Sequence, residues 1–459
     1  MYAILRALAG VALRWFYRSI EVEGRDRIPR HGPILFVVNH PNALVDALLV
    51  GWVVPRRVLL TAKATLFRNP LAALLLRSVG VVPLRRVSDE KTPRDTIDPS
   101  RNEDTFLAVR QALQAERAVL IFPEGKSHDE PAMAPLRTGA ARMALDAFGS
   151  GAAPTLAIVP IGLTFERKDA PRTRVLVQVG EPLSVQRWRS VEHPQPVEQL
   201  THEIDARLRA VTLNYASAEE AARRIRLAST IAALMEERRP LGEADRGLGV
   251  DTTIARRLEE LSTQLGGADP DLRSRAESVV ERLEALERVA AVHGIRLEDI
   301  GIQLTVHAAL RFTVREGWLL LLAGPVALWG RLNHLIPFRG AGWIAMRSID
   351  SAADPAMRTV VAGAALVLIA YLAQSVVVGL LTTPLIAILY LASLPIAADV
   401  NFILSDRLRR AVQRARAFFL LYSKRDLREG LTAELALLRA EVLSLDDAFS
   451  AARVEADAQ

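Results

Sequence analysis

His40 and Asp46 close an otherwise apolar run, LFVVNHPNALVDALLV, over residues 35–50. An imidazole paired with a carboxylate is a competent general base near neutral pH, because the carboxylate orients the ring, fixes its tautomer and stabilises the imidazolium that forms. Residues six apart on one continuous helix are turned well away from each other. His40 must therefore sit on a turn, with Asp46 on the helix that follows, if the two are to meet. Taken alone, such a pair is more often a structural hydrogen bond.

Two further stretches carry chemistry. GVVPLRR, residues 80–86, leaves a strand-like run in paired arginines. A guanidinium such as that of Arg86 suits a phosphate through its fork of donors and its permanent charge. FPEGKSHDEP, residues 122–131, brings Glu124, Gly125, Ser127 and His128 to one loop and leads through Arg137 and Gly139 into a helix. Gly125 would let backbone N–H groups approach an anion closely, with an ordinary polar turn as the alternative. Other chemistries fail on their spacing. A P-loop needs glycine where Leu120 stands, and a serine-hydrolase elbow needs glycine where Asp129 stands. The eight histidines never recur at four-residue spacing, so no metal is expected. The absence of cysteine excludes a thiolate nucleophile and a disulfide framework.

The elements that must position these residues alternate over residues 20–183. Apolar runs such as ILFVV (34–38), AVLIF (118–122) and AIVPIGLTF (157–165) are separated by helical stretches, the signature of an α/β layered domain. The polar residues fall at strand ends, where such a sheet places its ligand site. Beyond it, residues 186–310 read as a charged helical region, a hairpin or small bundle, and the chain from Thr432 as an acidic amphipathic helix.

The chain of 459 residues is 50% apolar and 24% charged, with a formal charge of +6 that favours an anionic partner. Residues 359–398 contain no charged side chain, long enough for two membrane spans broken at Thr382, Thr383 and Pro384. A buried helical pair in a soluble core is the alternative. Arg358 before the run and Arg407, Arg409, Arg410, Arg414 and Arg416 after it suit a hairpin with both flanks in the cytoplasm. Residues 317–330 are too short to span alone and contain Pro325, so they read as re-entrant or interfacial. At the N-terminus, Arg6 and Arg14 interrupt any signal-peptide core. Residues 1–19 instead suit an amphipathic helix that lies in the membrane interface, packs on the following domain, or does both. Few aromatic residues and arginines set beside an apolar hairpin argue against nucleic acid as a partner.

Four blocks in order complete the reading. Asn39 and His40 through Asp46, Gly80 through Arg86, the Phe122, Pro123, Glu124, Gly125 block and VPIGL at residues 159–163 together resemble the glycerolipid acyltransferase family, over about residues 20–185. Five residues stand between His40 and Asp46 where most of that family has four. The form NHPNxxVD, FPEGxSHD and PL[RK]xG is more similar to the fungal glycerol-3-phosphate/dihydroxyacetone-phosphate acyltransferases and their bacterial relatives. Lys63, in TAKATLF, resembles a lysine block of that subgroup. The resemblance implies a roughly two-layer α/β catalytic domain seated on a membrane. By the same resemblance His40 is the base and Asp46 its partner. Arg86, Glu124 and Gly125 form the acceptor-phosphate site, and Lys63, Pro160 and Arg137 are acyl-donor or supporting residues. It implies acyl-CoA or acyl carrier protein as co-substrate with no bound cofactor, and membrane lipids and a glycerol-phosphate acceptor as partners. Glycerol 3-phosphate is preferred over lysophosphatidate on the spacing; a non-catalytic membrane scaffold is the rival reading. The expected organisation is 1–19 interface helix, 20–185 catalytic domain on the cytoplasmic face, 186–310 helical region, 311–400 membrane-embedded helices and 401–459 helical tail.

Overall fold

A strand whose every side chain is buried must be covered on both faces, and Ile34–Val38 is such a strand. The computed structural model describes residues 2–63, 81–84, 100–168, 170–188, 195–235, 247–265, 270–302, 304–347 and 355–458. Two units divide the chain, Met1–Ser217 with Ala341–Ala364, and Ala218–Gly340 with Ala365–Gln459.

The strands of the first unit are β1 (Ser19–Glu23), β2 (Ile34–Val38), β3 (Val58–Lys63), β4 (Val82–Leu84), β5 (Ala118–Ile121), β6 (Ala157–Phe165), β7 (Arg174–Val179) and β8 (Leu183–Ser184). Its helices are α1 (Tyr2–Phe16), α2 (Ala43–Val53), α3 (Ser100–Gln114), α4 (Gly139–Gly149) and α5 (Pro196–Arg209). The sheet order is β4-β3-β5-β2-β6-β7-β1, with β8 paired to β6. The pairs β2/β5, β2/β6, β3/β5 and β3/β4 are parallel. Consequently the loops that follow β2, β3, β4, β5 and β6 all leave the sheet at one edge.

Alternation along β2 splits the core in two. Ile34, Phe36 and Val38 pack with Leu13 and Phe16 of α1 and with Val45, Leu49 and Val50 of α2. Leu35 and Val37 face Val109 and Leu113 of α3, Ala140 and Ala144 of α4 and Leu200 and Ile204 of α5. The domain thus has three layers rather than the two expected, since β2 would otherwise leave one apolar face in water, at about 1.5–3 kcal/mol per large side chain. Because α5 packs on α4 and β6, the unit runs to Ser217 instead of ending near residue 185.

The N-terminal helix is a packing element on its arginine face. Gly10 leaves no room for a Cβ beside the Trp52 indole. Arg6 donates to the carbonyls of Trp52 and Val54 at 2.9 and 2.8 Å, satisfying the open C-terminal end of α2 rather than reaching for lipid. Ile4 and Leu8, on other faces, are exposed.

The second unit is helical: α6 (Ala218–Met235), α7 (Leu248–Leu265), α8 (Pro270–Val292), α9 (Val306–Arg347), α10 (Pro355–Leu381), α11 (Pro384–Ser423) and α12 (Arg425–Ala458), with residues 341–347 of α9 and 355–364 of α10 counted in the first unit. Leu431, Leu438 and Leu445 of α12 recur every seven residues and pack with Val279, Leu283 and Leu286 of α8 and with Ile231 and Leu234 of α6. Arg282 of α8 spans two turns of α12, pairing with Glu434 and Glu441. The charged region from residue 218 to 302 and the tail, far apart in sequence, are one bundle, while the earlier part of that region belongs to the first unit.

Among the described residues, three helices are long and apolar enough to cross a membrane, Val306–Trp343, Thr359–Leu381 and Pro384–Ser423. Residues 317–330 lie inside the first, a continuous 42-residue helix that contains Pro325 and Pro337, and do not form the short isolated segment expected. Thr383 caps α11 by accepting from the Ile386 amide, with Pro384 in the first turn, so the break falls where the Thr-Thr-Pro sequence put it. Leu321, Leu322, Ile336, Leu380 and Leu381 remain exposed. Polar side chains tie the helices to one another. Tyr371 donates to His334 Nε2 at 2.7 Å, Tyr390 to Asn333 Oδ1 at 2.5 Å, and Gln374 to the Asn333 carbonyl at 3.1 Å.

Candidate active site

β2 ends at Val38, and a side chain continues its ladder. Asn39 accepts from the Leu163 amide at 2.7 Å and donates to the Leu163 carbonyl at 3.0 Å. Doing with an amide group what a strand does with backbone, Asn39 frees the chain to turn out of the sheet at His40. The turn is tight: Ala43 adopts a φ of 44°, in the left-handed region that L-residues avoid.

His40 lies on this turn and Asp46 in the first turn of α2. Nδ1 of His40 stands 3.0 Å from Asp46 Oδ2. The same oxygen accepts from the Asn42 amide at 2.7 Å, so the carboxylate closes the helix start and orients the imidazole together. Asp46 is fully buried, and the open N–H groups of the first helical turn favour its charge. With Nδ1–H directed to Asp46, Nε2 is the basic nitrogen. Phe122 stacks on the imidazole, with ring centroids 3.8 Å apart and planes at 12°.

Asn42 does not cap α2 with its side chain. Its amide points inward, donating to the Tyr17 hydroxyl at 3.1 Å and to the Lys168 carbonyl at 3.2 Å. Burial, reinforced by the neighbouring Asp46 charge, pushes the Tyr17 hydroxyl well above its usual range, so it stays protonated.

β5 runs parallel to β2, and its exit loop carries Glu124 to the same edge. Glu124 is buried; Oε1 accepts from the His40 amide at 2.7 Å, and Oε2 from the Ala134 amide at 2.7 Å and from His128 Nε2. With both oxygens engaged, Glu124 holds the His40 turn and offers no donor to a phosphate. Gly125, at φ 78°, gives its amide to the Phe122 carbonyl at 3.1 Å rather than to an open cradle. Its missing Cβ makes room for Arg137, whose Nε would lie 2.7 Å from such a Cβ. Arg137 is exposed. Among the described residues it carries the guanidinium that approaches this loop.

The remaining residues expected at the site divide. Lys63 closes β3, opposite Leu84 of β4, at the shared sheet edge. Arg86 lies outside the described residues. Pro160 is buried within β6 in register with Val37, on the face turned away from α2. Its carbonyl accepts from the Gly180 amide at 2.9 Å, and its ring fills the space a Gly180 Cβ would take. The structure packs Pro160 in the sheet and does not bring it to His40.

Sequence reasoning places Asn39 and Asn42 in the His40 block without these roles, and misses Tyr17 and Lys168. Lys168 follows β6 and donates to the carbonyls of Pro41 at 3.0 Å and His128 at 3.2 Å, while pairing with Asp129. Nothing local in sequence ties a lysine to loops 40 and 127 residues away. Glu124 and His128, four positions apart on the loop that the sequence predicts, do meet there. Among the described residues no cluster of His, Asp and Glu could hold a metal ion.

A histidine hydrogen-bonded to a buried carboxylate, at the carboxyl edge of a mainly parallel sheet, is an arrangement able to do acid–base chemistry. Residues 19–164 match the protein family described as Acyltransferase. The chain is 39% identical over 84 residues to glycerol-3-phosphate O-acyltransferase 2 of Saccharomyces cerevisiae, covering 18% of this chain and 11% of that protein. It is 24% identical over 301 residues to glycerol-3-phosphate O-acyltransferase 1 of the same yeast, covering 46% and 39%. An uncharacterized acyltransferase of Schizosaccharomyces pombe is 23% identical over 257 residues, covering 39% and 38%. The chain therefore spans about two fifths, or less, of the curated relatives it matches. Among solved structures, the 1-acyl-sn-glycerophosphate acyltransferase of Thermotoga maritima aligns with a TM-score of 0.33 at 17% identity, over 45% of this chain and 78% of that one. The match to the Acyltransferase family thus falls within the first unit, and two of the curated relatives are glycerol-3-phosphate O-acyltransferases.

Proposed function

We propose that this protein transfers a fatty acyl group from acyl-CoA or acyl carrier protein to a hydroxyl of a glycerol phosphate, with glycerol 3-phosphate as the preferred acceptor. The observation that carries the proposal is the 3.0 Å contact of His40 Nδ1 with the fully buried Asp46. It leaves Nε2 basic at the sheet edge. In the reaction Nε2 takes the proton of the acceptor hydroxyl as its oxygen attacks the thioester carbonyl. Asp46 stabilises the imidazolium. Collapse of the tetrahedral intermediate then breaks the carbon–sulfur bond, and the departing thiolate takes the proton back from His40. No acyl-enzyme is needed. Arg137 beside Gly125, with Arg86 from the preceding motif, supplies fixed positive charge for the acceptor phosphate. The apolar helices α9, α10 and α11 support a membrane location, and with α10 and α11 taken as the crossing hairpin, which returns the chain to the face it left, the arginines after residue 406 support a cytoplasmic catalytic face.

The test is an acylation assay on the full chain in lipid nanodiscs, with palmitoyl-CoA or palmitoyl carrier protein as donor and glycerol 3-phosphate or lysophosphatidate as acceptor. Product from glycerol 3-phosphate that vanishes in His40→Ala is expected. Product from lysophosphatidate alone would overturn the acceptor assignment. Silence with every glycerolipid acceptor, from protein shown to be folded, would favour the scaffold reading.

A further inference from the structure

Each residue of the His40 turn is anchored, Pro41 through its carbonyl to Lys168 and the other three as follows. Asn39 is spliced to Leu163, the Asn42 amide is held by Asp46, and between them the His40 amide is held by Glu124. The first two anchors lie on β6 and α2. The third crosses to a separate loop, so its precision depends on what aims the Glu124 carboxylate.

A buried carboxylate is costly unless donors surround it. Glu124 has three: the His40 amide on Oε1, and the Ala134 amide and His128 Nε2 on Oε2. Two are backbone groups, and only His128 is a side chain. His128 is itself fixed, because its carbonyl accepts from Lys168 Nζ, the ammonium that also donates to the Pro41 carbonyl on the His40 turn. The loops after β2 and β5 are therefore fastened twice, through Glu124 and through Lys168. The His128 ring is 11% exposed, with Nε2 committed to Glu124. Its other nitrogen, Nδ1, is buried within the protein and not presented at a surface, so the ring is built as a support and not as a second base.

We propose that His128 is a positioning residue for His40: by holding Glu124 Oε2 it aims Oε1 at the His40 amide and so fixes the turn that presents the imidazole. The kinetic consequence rests on the acyl-transfer reading; the structural consequence does not.

Two measurements on the full chain in nanodiscs test this. In the first, kcat and KM for glycerol 3-phosphate are compared in His128→Ala, His128→Gln, Glu124→Gln and the double variant His128→Ala/Glu124→Gln. His128→Ala should lower kcat about 10- to 100-fold, the scale of an ångström-level misplacement, with KM changed less than about threefold. His128→Gln, whose amide nitrogen can replace Nε2 as donor, should recover to within about fivefold of wild type. Adding His128→Ala to Glu124→Gln should cost less than about threefold more, because the ring acts through that carboxylate. In the second, His40 reactivity toward diethyl pyrocarbonate is read by peptide mass spectrometry. It should rise about threefold or more in His128→Ala and not in His128→Gln, as expected when a turn loses an anchor.

Wild-type kcat and unaltered His40 reactivity in His128→Ala would overturn the proposal. So would fully additive losses in the double variant, or a glutamine variant no better than alanine in either measurement. Should the wild-type protein prove inactive with every acceptor, the acyl-transfer reading falls, and the His40 footprint alone then decides the positioning role.

Discussion

His40 in the first unit and His334 in the second are both largely withdrawn from water, and both sit among aromatic rings. Their hydrogen bonds separate them. His334 gives Nδ1–H to the Gly330 carbonyl one turn back on α9 at 2.7 Å and accepts from the Tyr371 hydroxyl of α10 at Nε2, also at 2.7 Å, so both nitrogens are engaged and the second holds α9 to α10. His40 spends Nδ1 on Asp46 and keeps Nε2. A histidine with both nitrogens engaged is a pin between helices, whereas one with a carboxylate behind it and a nitrogen in front is equipped to move a proton. Residue type and burial would rank the two alike.

That contrast can be broken most directly at His40. His40→Ala should lower kcat for acyl transfer by about 10³-fold, within the range for a general base, and leave the thermal midpoint within a few degrees. Retention of more than a tenth of the activity would remove His40 from the reaction. Asp46→Asn should cost about 10²-fold in kcat with little change in KM, since the ring loses the carboxylate that stabilises its charged form. An unchanged kcat there would mean that the turn alone orients the imidazole.

The other side of the contrast predicts the opposite pattern. His334→Phe should leave kcat within about twofold of wild type while lowering stability by about 1–2 kcal/mol, the net worth of one hydrogen bond between apolar helices and one within α9. Detergent-resistance or urea titration would read this, and a collapse of activity without a stability change would undo the assignment. The smallest effect is expected at Arg282→Ala. Its pairs with Glu434 and Glu441 are about a third exposed or more. Screening by water holds the loss to about 0–1 kcal/mol, shrinking further in 0.5 M salt. A larger, salt-insensitive loss would show that the α8–α12 seam depends on this ion pair rather than on its leucines.

Much of the site was open to reading from local pattern. The jump from a strand run to Asn39, His40 and Pro41 requires a turn, and the turn requires that Asp46, not a nearer residue, reach back. The roles of Glu124 and Gly125 were not legible in the same way. Both stand where an anion loop would place them, yet their hydrogen bonds run to His40, Ala134 and Phe122, partners chosen by the parallel pairing of β5 with β2. Pro160 sits in a motif beside the site and still faces the other way, because alternation along β6 puts it in register with Val37.

By itself the sequence determined the alternation of strand and helix, the apolar length of residues 359–398, the break before Pro384 and the residues able to do acid–base chemistry. These depend on periodicity and composition within a few turns of chain. Only the tertiary structure decided that three layers enclose β2, that the tail returns to α6 and α8, and that Lys168 joins two loops at a shared sheet edge. Strand order and helix docking bring together residues more than 100 positions apart, and no short window of sequence records which partners they will meet.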